Sequence, residues 1–204
     1  MMKFDLHMHT TRHSPDSDME PSALVKRAME LELDGVVITE HDWLWTEEEL
    51  EELRAEAKGL LVLAGIEVSA KEGHFLVYGV HNPFELRPGI GVAELCRVVH
   101  RQGGAVVAAH PFRWGQPFED ILLEETPELD GLELMSKNMD ADCRRRAAQV
   151  QAKYQLAGLG SSDAHHEDHL ALCYTEFQAK IHTAADLATA IRERRSKAID
   201  RVAK

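Results

Sequence analysis

Short apolar runs alternate with helix-patterned stretches along the 204-residue chain, and that alternation restricts it to α/β folds. Runs at Phe4–His9, Gly35–Thr39, Leu61–Glu67, Ala105–Ala109, Gly131–Leu134, Ala157–Ser161 and Leu172–Phe177 read as strands. Between them, Pro21–Leu33 has proline in its first turn and apolar residues at helical spacing. Thr46–Lys58 opens with a Thr46/Glu49 capping box, and Val92–Gln102 stops at Gly103-Gly104. Ala141–Tyr154 and Ala184–Arg195 are also helical in pattern. Helical crossovers imply parallel pairing, in either a doubly wound sheet or a closed barrel. The length suits one domain over residues 1–204, and a 44% hydrophobic content suffices for its core.

The run His74–Val80 stands apart from this rhythm. Only Val68 to Gly73 separate it from Glu67, too short for a parallel crossover, so the two strands are expected to run antiparallel. His74 then starts where Glu67 ends, and His81 is carried to the opposite end of the fold, with a structural role.

Polar residues gather at the strand ends. His7 and His9 stand two apart, which puts two imidazoles on one face of an extended chain. His41 and Asp42 follow the second strand, Glu67 closes the third, His110 follows the fourth, Glu133 closes the fifth, and Asp163 with His165 follows the sixth. An open sheet would leave these ends in a row, whereas a barrel gathers them around one mouth. The expectation is therefore a distorted TIM-like barrel of seven β/α units, with a metal site at the carboxyl ends of its strands.

Imidazole and carboxylate together suit Zn, Mn or Fe better than calcium. The candidates exceed the roughly four ligands of one zinc ion, so two or three divalent ions are implied, with Glu67 able to bridge. Carboxylate-bridged ions suit hydrolysis at phosphorus, where a metal-bound hydroxide attacks and the ions neutralise developing charge. Arg113 and Lys137 follow strands at the same mouth and could hold phosphate oxygens. For Arg113 a salt bridge to acidic neighbours is the competing reading. The run from Glu47 to Glu52, the triplet Arg144 to Arg146, and His100, His169 and His182 read as structural or solvated.

A net charge of −12 disfavours stable binding to duplex nucleic acid and points to a small phosphorylated substrate or the end of a nucleotide chain. The chain shows no membrane-spanning run and no signal-peptide core. Its three separated cysteines read as reduced thiols of a cytoplasmic protein.

These motifs resemble the PHP family, named for polymerase and histidinol phosphatase. The resemblance rests on His7-x-His9, Thr39-Glu40-His41-Asp42, Gly65-Ile66-Glu67, His110-Pro111 and Ser162-Asp163-Ala164-His165, in the family's order. It implies a seven-stranded distorted barrel with a three-metal site. His7, His9, Glu67 and Asp163 would hold the first ion, and Glu67, His74 and His110 the second. His41 and His165 would hold the third with either Asp16 or His13, of which Asp16 is favoured. Asp5 and Asp42 would orient the histidines. The implied activity is that of a stand-alone phosphoesterase acting on a mono- or diester. The alternatives are a metal-dependent amidohydrolase, disfavoured by the lack of a bridging lysine after a strand, and a non-catalytic module, disfavoured by the full ligand set.

Overall fold

The computed structural model describes residues 1–115, 118–124 and 128–201. Its elements in chain order are β1 (Met2–Asp5), α1 (Pro21–Glu30), β2 (Gly35–Ile38), α2 (Glu47–Arg54), β3 (Leu61–Ala70), β4 (Gly73–Tyr78), α3 (Val92–Arg101) and β5 (Ala105–Ala108). There follow α4 (Phe118–Glu124), β6 (Gly131–Met135), α5 (Ala141–Tyr154), β7 (Ala157–Gly160), β8 (Cys173–Phe177), α6 (Ala184–Arg192) and β9 (Ser196–Asp200). The sheet order is β7-β6-β5-β4-β3-β2-β1-β8-β9.

The sheet curls into a nearly closed barrel, as the ring of strand-end ligands required. It closes where β7 meets the β8–β9 hairpin: Thr175 of β8 both donates to the Gly160 carbonyl (2.8 Å) and accepts from the Gly160 amide (3.0 Å). Gly160 is needed there, because a Cβ at that position would stand 2.6 Å from the Tyr174 carbonyl oxygen.

Six strands (β1, β2, β3, β5, β6 and β7) share one direction and deliver their carboxyl ends to one mouth. As expected, β4 runs antiparallel to β3, with Ser69 opposite His74. His81 lies at the other end, its amide directed at Gln102 just before β5.

Two features correct the simple alternation. β8 pairs antiparallel with β1, because only a short 3-10 turn (Glu167–His169) lies between β7 and β8 and no helix carries the chain back across the barrel. β9 then pairs antiparallel with β8 and adds a strand beyond those read from the sequence. Its sequence, Ser-Lys-Ala-Ile-Asp, is too polar to stand out from a helix end. The closing helix accordingly stops at Arg192 rather than Arg195.

Local chemistry explains the helix starts that position the mouth. Thr46 and Glu49 form the expected capping box of α2, and Thr183 with Asp186 forms another at α6. Leu24, Val25, Leu50 and Leu53 lay the α1–α2 faces on Val36, Ile38 and Val62 of the sheet. α3 and α5 cover the other side through Leu95, Val99 and Val150 against Val68, Val77 and Leu132.

Candidate metal centre

Glu67 is the hub. It is 1% exposed at the mouth, and five imidazoles approach its two oxygens. Oε1 lies 3.0 Å from His74 Nδ1 and 3.2 Å from His110 Nε2. Oε2 lies 3.0 Å from His41 Nδ1, 3.2 Å from His9 Nε2 and 3.3 Å from His7 Nε2. Despite those neighbours, Oε2 is buried with no hydrogen-bond partner of proper geometry. An unsatisfied buried carboxylate oxygen is costly unless something else balances it.

The geometry of the donors supplies the answer. His7 Nε2 and His9 Nε2 are 3.1 Å apart, and each stands 3.2 or 3.3 Å from Glu67 Oε2. Asp163 Oδ1 lies 3.3 Å from His7 Nε2 and 3.4 Å from His9 Nε2. A tetrahedron built on metal–ligand bonds of about 2.1 Å has edges of about 3.4 Å. His7, His9 and Glu67 therefore form one convergent group for a divalent ion, with Asp163 Oδ1 beside both rings. Glu67, His74 and His110 form a second convergent group on the other carboxylate oxygen. His9, His41 and His165 form a third. Asp16 Oδ2 joins that third group at 3.1 Å from His41 Nε2 and 3.2 Å from His165 Nε2. His13 turns away, bonded to Glu49 at 2.9 Å and stacked on Trp43.

Two buried carboxylates aim the rings. Glu133 Oε1 takes the Nδ1 side of His7 at 2.9 Å, and its Oε2 accepts the His110 amide at 2.6 Å. With Nδ1 so engaged, His7 offers Nε2 to the centre. Glu40 accepts from Ser14 Oγ, and Ser14 Oγ in turn lies 3.3 Å from His9 Nδ1. Glu40 also receives the Thr10 amide and the Trp45 indole, both at 3.0 Å. These supporting roles were not read from the sequence. The available signal was an acidic residue at a strand end, Glu133 between Leu132 and Leu134 and Glu40 just past the apolar run Val36 to Ile38.

Charge in the centre follows from this crowding. Burial opposes ionisation of Glu67 and Asp163, but the surrounding imidazoles, His7 foremost, hold both carboxyls well below the usual range. Burial works against the protonated His7 ring as well, and Asp163, Glu67 and Glu133 outweigh it and raise its pKa. For His41 burial is again overcome, by Glu67 and Asp16, and the pKa rises to about 9. His165 moves the other way, lowered by burial and by His9. Asp42, His110 and Asp163 all adopt positive φ (53°, 29° and 52°), a backbone strain often found where side chains are held for function.

The remaining expected residues separate. Arg113 reaches the centre, with Nη1 3.1 Å from Asp163 Oδ2, so its salt-bridge partner is itself a candidate ligand. Lys137 does not point at the ligands; its Nζ lies 2.7 to 2.8 Å from the His169 ring. The residue of that loop that touches Asp163 is Asn138, at 2.6 Å from Oδ2, and nothing in the sequence distinguished it. Asp42 accepts the Ser69 amide at 2.8 Å, and Asp5 accepts the amides of Ser162 and Ala171 at 3.0 and 2.8 Å. Both carboxylates hold backbone rather than histidine rings: Asp42 ties β2 to β3, and Asp5 fixes the loop carrying Asp163. Burial drives the Asp5 carboxyl up to about 6 against those hydrogen bonds.

A model described as PHP-associated matches residues 143–196, from α5 into β9. A curated but uncharacterized protein of Methanocaldococcus jannaschii is 30% identical over 120 residues, which cover 54% of this chain and 68% of that one. A two-domain protein of Bacteroides vulgatus containing a predicted PHP-like metal-dependent phosphoesterase matches 98% of this chain with TM-score 0.76 at 23% identity. This chain belongs to the PHP family. It spans 64% of the length of the two-domain protein. The lesion-specific endonuclease EndoQ of Pyrococcus furiosus shares the PHP-type barrel over 94% of this chain and 56% of its own, with TM-score 0.69 at 21% identity. An amidohydrolase of Chromobacterium violaceum is similar in fold over 79% of this chain and 87% of its own, with TM-score 0.63 at 18% identity. The likeness to these solved structures is one of fold.

Proposed function

We propose that this PHP chain is a metal-dependent phosphoesterase, hydrolysing a phosphate mono- or diester of a small metabolite or a nucleotide end. The observation that carries this reading is the convergent set of His7, His9 and Glu67 donors with Asp163 beside both rings, next to a second set in which the other Glu67 oxygen meets His74 and His110. His41, His165 and Asp16 are the residues for a further ion, so two or three ions of Zn, Mn or Fe fit the donor set. Bound divalent ions supply an activated water and charge neutralisation at phosphorus.

The chain's own residues do the rest. Glu133 and the Glu40–Ser14 pair fix the His7 and His9 rings with their Nε2 atoms inward. Arg113 has further N–H donors beyond the one spent on Asp163, and these suit a phosphate oxygen in a planar two-point contact. Asn138 holds Asp163 in place from the other side. Lys137, with His169, is left for a more distant part of the substrate. Among the described residues no helix is long and apolar enough to cross a membrane. The buried free cysteines Cys96, Cys143 and Cys173 fit a cytoplasmic setting.

An amidohydrolase reading has one observation in its favour, the shared fold of the Chromobacterium violaceum protein. The deciding experiment offers phosphate monoesters, phosphodiesters and amides to protein reconstituted separately with zinc, manganese and iron. Turnover of phosphate esters alone is expected, and turnover of amides alone would overturn the proposal.

A further inference from the structure

The loop after β5 carries an exposed indole that the metal centre does not explain. Trp114 is 80% exposed, whereas Trp45 is 4% exposed and hydrogen-bonded to Glu40. Exposing a large aromatic ring is unfavourable, and here it is combined with strain. His110, Phe112 and Trp114 all have positive φ (29°, 69° and 57°), as does Gly115 (77°). An L side chain in that region costs energy, and three within five residues call for a return. The strained path sets the Arg113 guanidinium over the indole, its central carbon 3.8 Å from the ring centroid. Arg113 Nη1 meanwhile reaches Asp163 Oδ2 at 3.1 Å. The indole thus carries on its ring the arginine that reaches the metal centre, while the residue as a whole stays 80% exposed.

We infer that Trp114 is a stacking platform that selects phosphate esters bearing a planar aromatic group, in chemical terms a nucleobase. A flat π face backed by a cation and placed beside a phosphate-binding centre matches the layout of a nucleotide, whose base lies a sugar's length from its phosphate. The acidic surface favours a single nucleotide or a chain end over a long polymer. This inference rests on the phosphoesterase reading for the phosphate half, while the platform itself needs only the base.

Two measurements separate those halves. Tryptophan fluorescence is titrated with adenosine, which has no phosphate, and with ribose, which has no base. Saturable quenching by adenosine alone is expected in the parent, retained in Trp43→Leu and lost in Trp114→Leu. In the metal-reconstituted enzyme the KM for ribose 5-phosphate should exceed that for adenosine 5′-monophosphate by roughly five- to a hundredfold. Trp114→Leu should collapse that ratio toward one, and Trp114→Phe, which keeps a π face, should retain most of it. The platform is overturned if adenosine gives no saturable quenching, if Trp114→Leu leaves the ratio intact, or if Trp43→Leu is the variant that removes it. Saturable quenching without turnover of any phosphate ester would uphold the platform and count against the phosphoesterase reading alone.

Discussion

The inner and outer parts of the metal centre are built on different terms. The inner set, His7, His9, Glu67, His110 and Asp163, is at most 3% exposed, and His7 and His9 are each steered by a second buried group. The outer set is Asp16, His41, His74 and His165, with side chains 54%, 28%, 37% and 22% exposed. Its members lean on the inner carboxylates and on one another. Burial makes the inner donors hard to move and costly to leave unpaired; exposure leaves the outer ones screened by water and free to adjust. The inner set should therefore bind metal before the outer set and govern most of the activity.

The sharpest way to break that contrast is Glu67→Gln. It removes the charge shared by all five rings, so metal content should fall by more than one ion per chain, and hydrolysis by well over about 100-fold, more than loss of a supporting residue gives. Elemental analysis beside kinetics would show it, and a variant that keeps its full metal content would remove Glu67 from the hub. Glu133→Gln comes next. The amide keeps the shape but holds His7 less firmly, and metal affinity or activity should drop by roughly 10- to 100-fold. A metal titration within twofold of the parent would make Glu133 merely structural.

Acid and base distinguish the two sets further. His41 without metal has its pKa raised to about 9, so its ion pairs with Glu67 and Asp16 stabilise the fold fully below the unfolded value of about 6.5. That stabilisation is lost as pH rises through about 9. Metal binding instead needs the neutral ring, so it strengthens over the same range. The gap in Tm between metal-loaded and metal-free protein should accordingly widen from pH 6.5 to 9. A gap that is constant with pH, or that narrows, would place His41 outside the ligand set.

Smaller effects belong to the rim. Asp16→Asn should lower the occupancy of the outer ion several-fold and leave the inner ions loaded, as metal counts at limiting metal would reveal. Lys137→Ala should change kcat by no more than about twofold and act, if anywhere, on KM, because its Nζ is engaged with His169. A large loss of kcat would show that the lysine swings inward during turnover.

Much of the candidate centre was legible because its candidate ligands obey local periodicity. The i, i+2 spacing put His7 and His9 on one face, and a six-residue connection was enough to place His74 beside Glu67 and His81 at the far end. Alternating apolar runs announced the parallel strands and the mouth where their carboxyl ends meet. Burial pattern and capping chemistry act over a few residues, which is why a sequence can display them.

What tertiary structure alone decided concerns groups that meet across long separations. Glu133 is 126 residues from His7 and Glu40 is 26 from Ser14, so no spacing rule links them. Lys137 and Asn138 are chain neighbours, yet one turns to His169 and the other to Asp163, a choice made by the shape of the surrounding loops. The reversal of β8 and the addition of β9 were likewise settled by barrel closure, where Gly160 lets the last strands approach β7. Sequence thus fixes which side chains share a face or an end of an element. Which buried carboxylate aims which ring depends on the packing of distant elements, because hydrogen bonding in the interior is satisfied in space rather than along the chain.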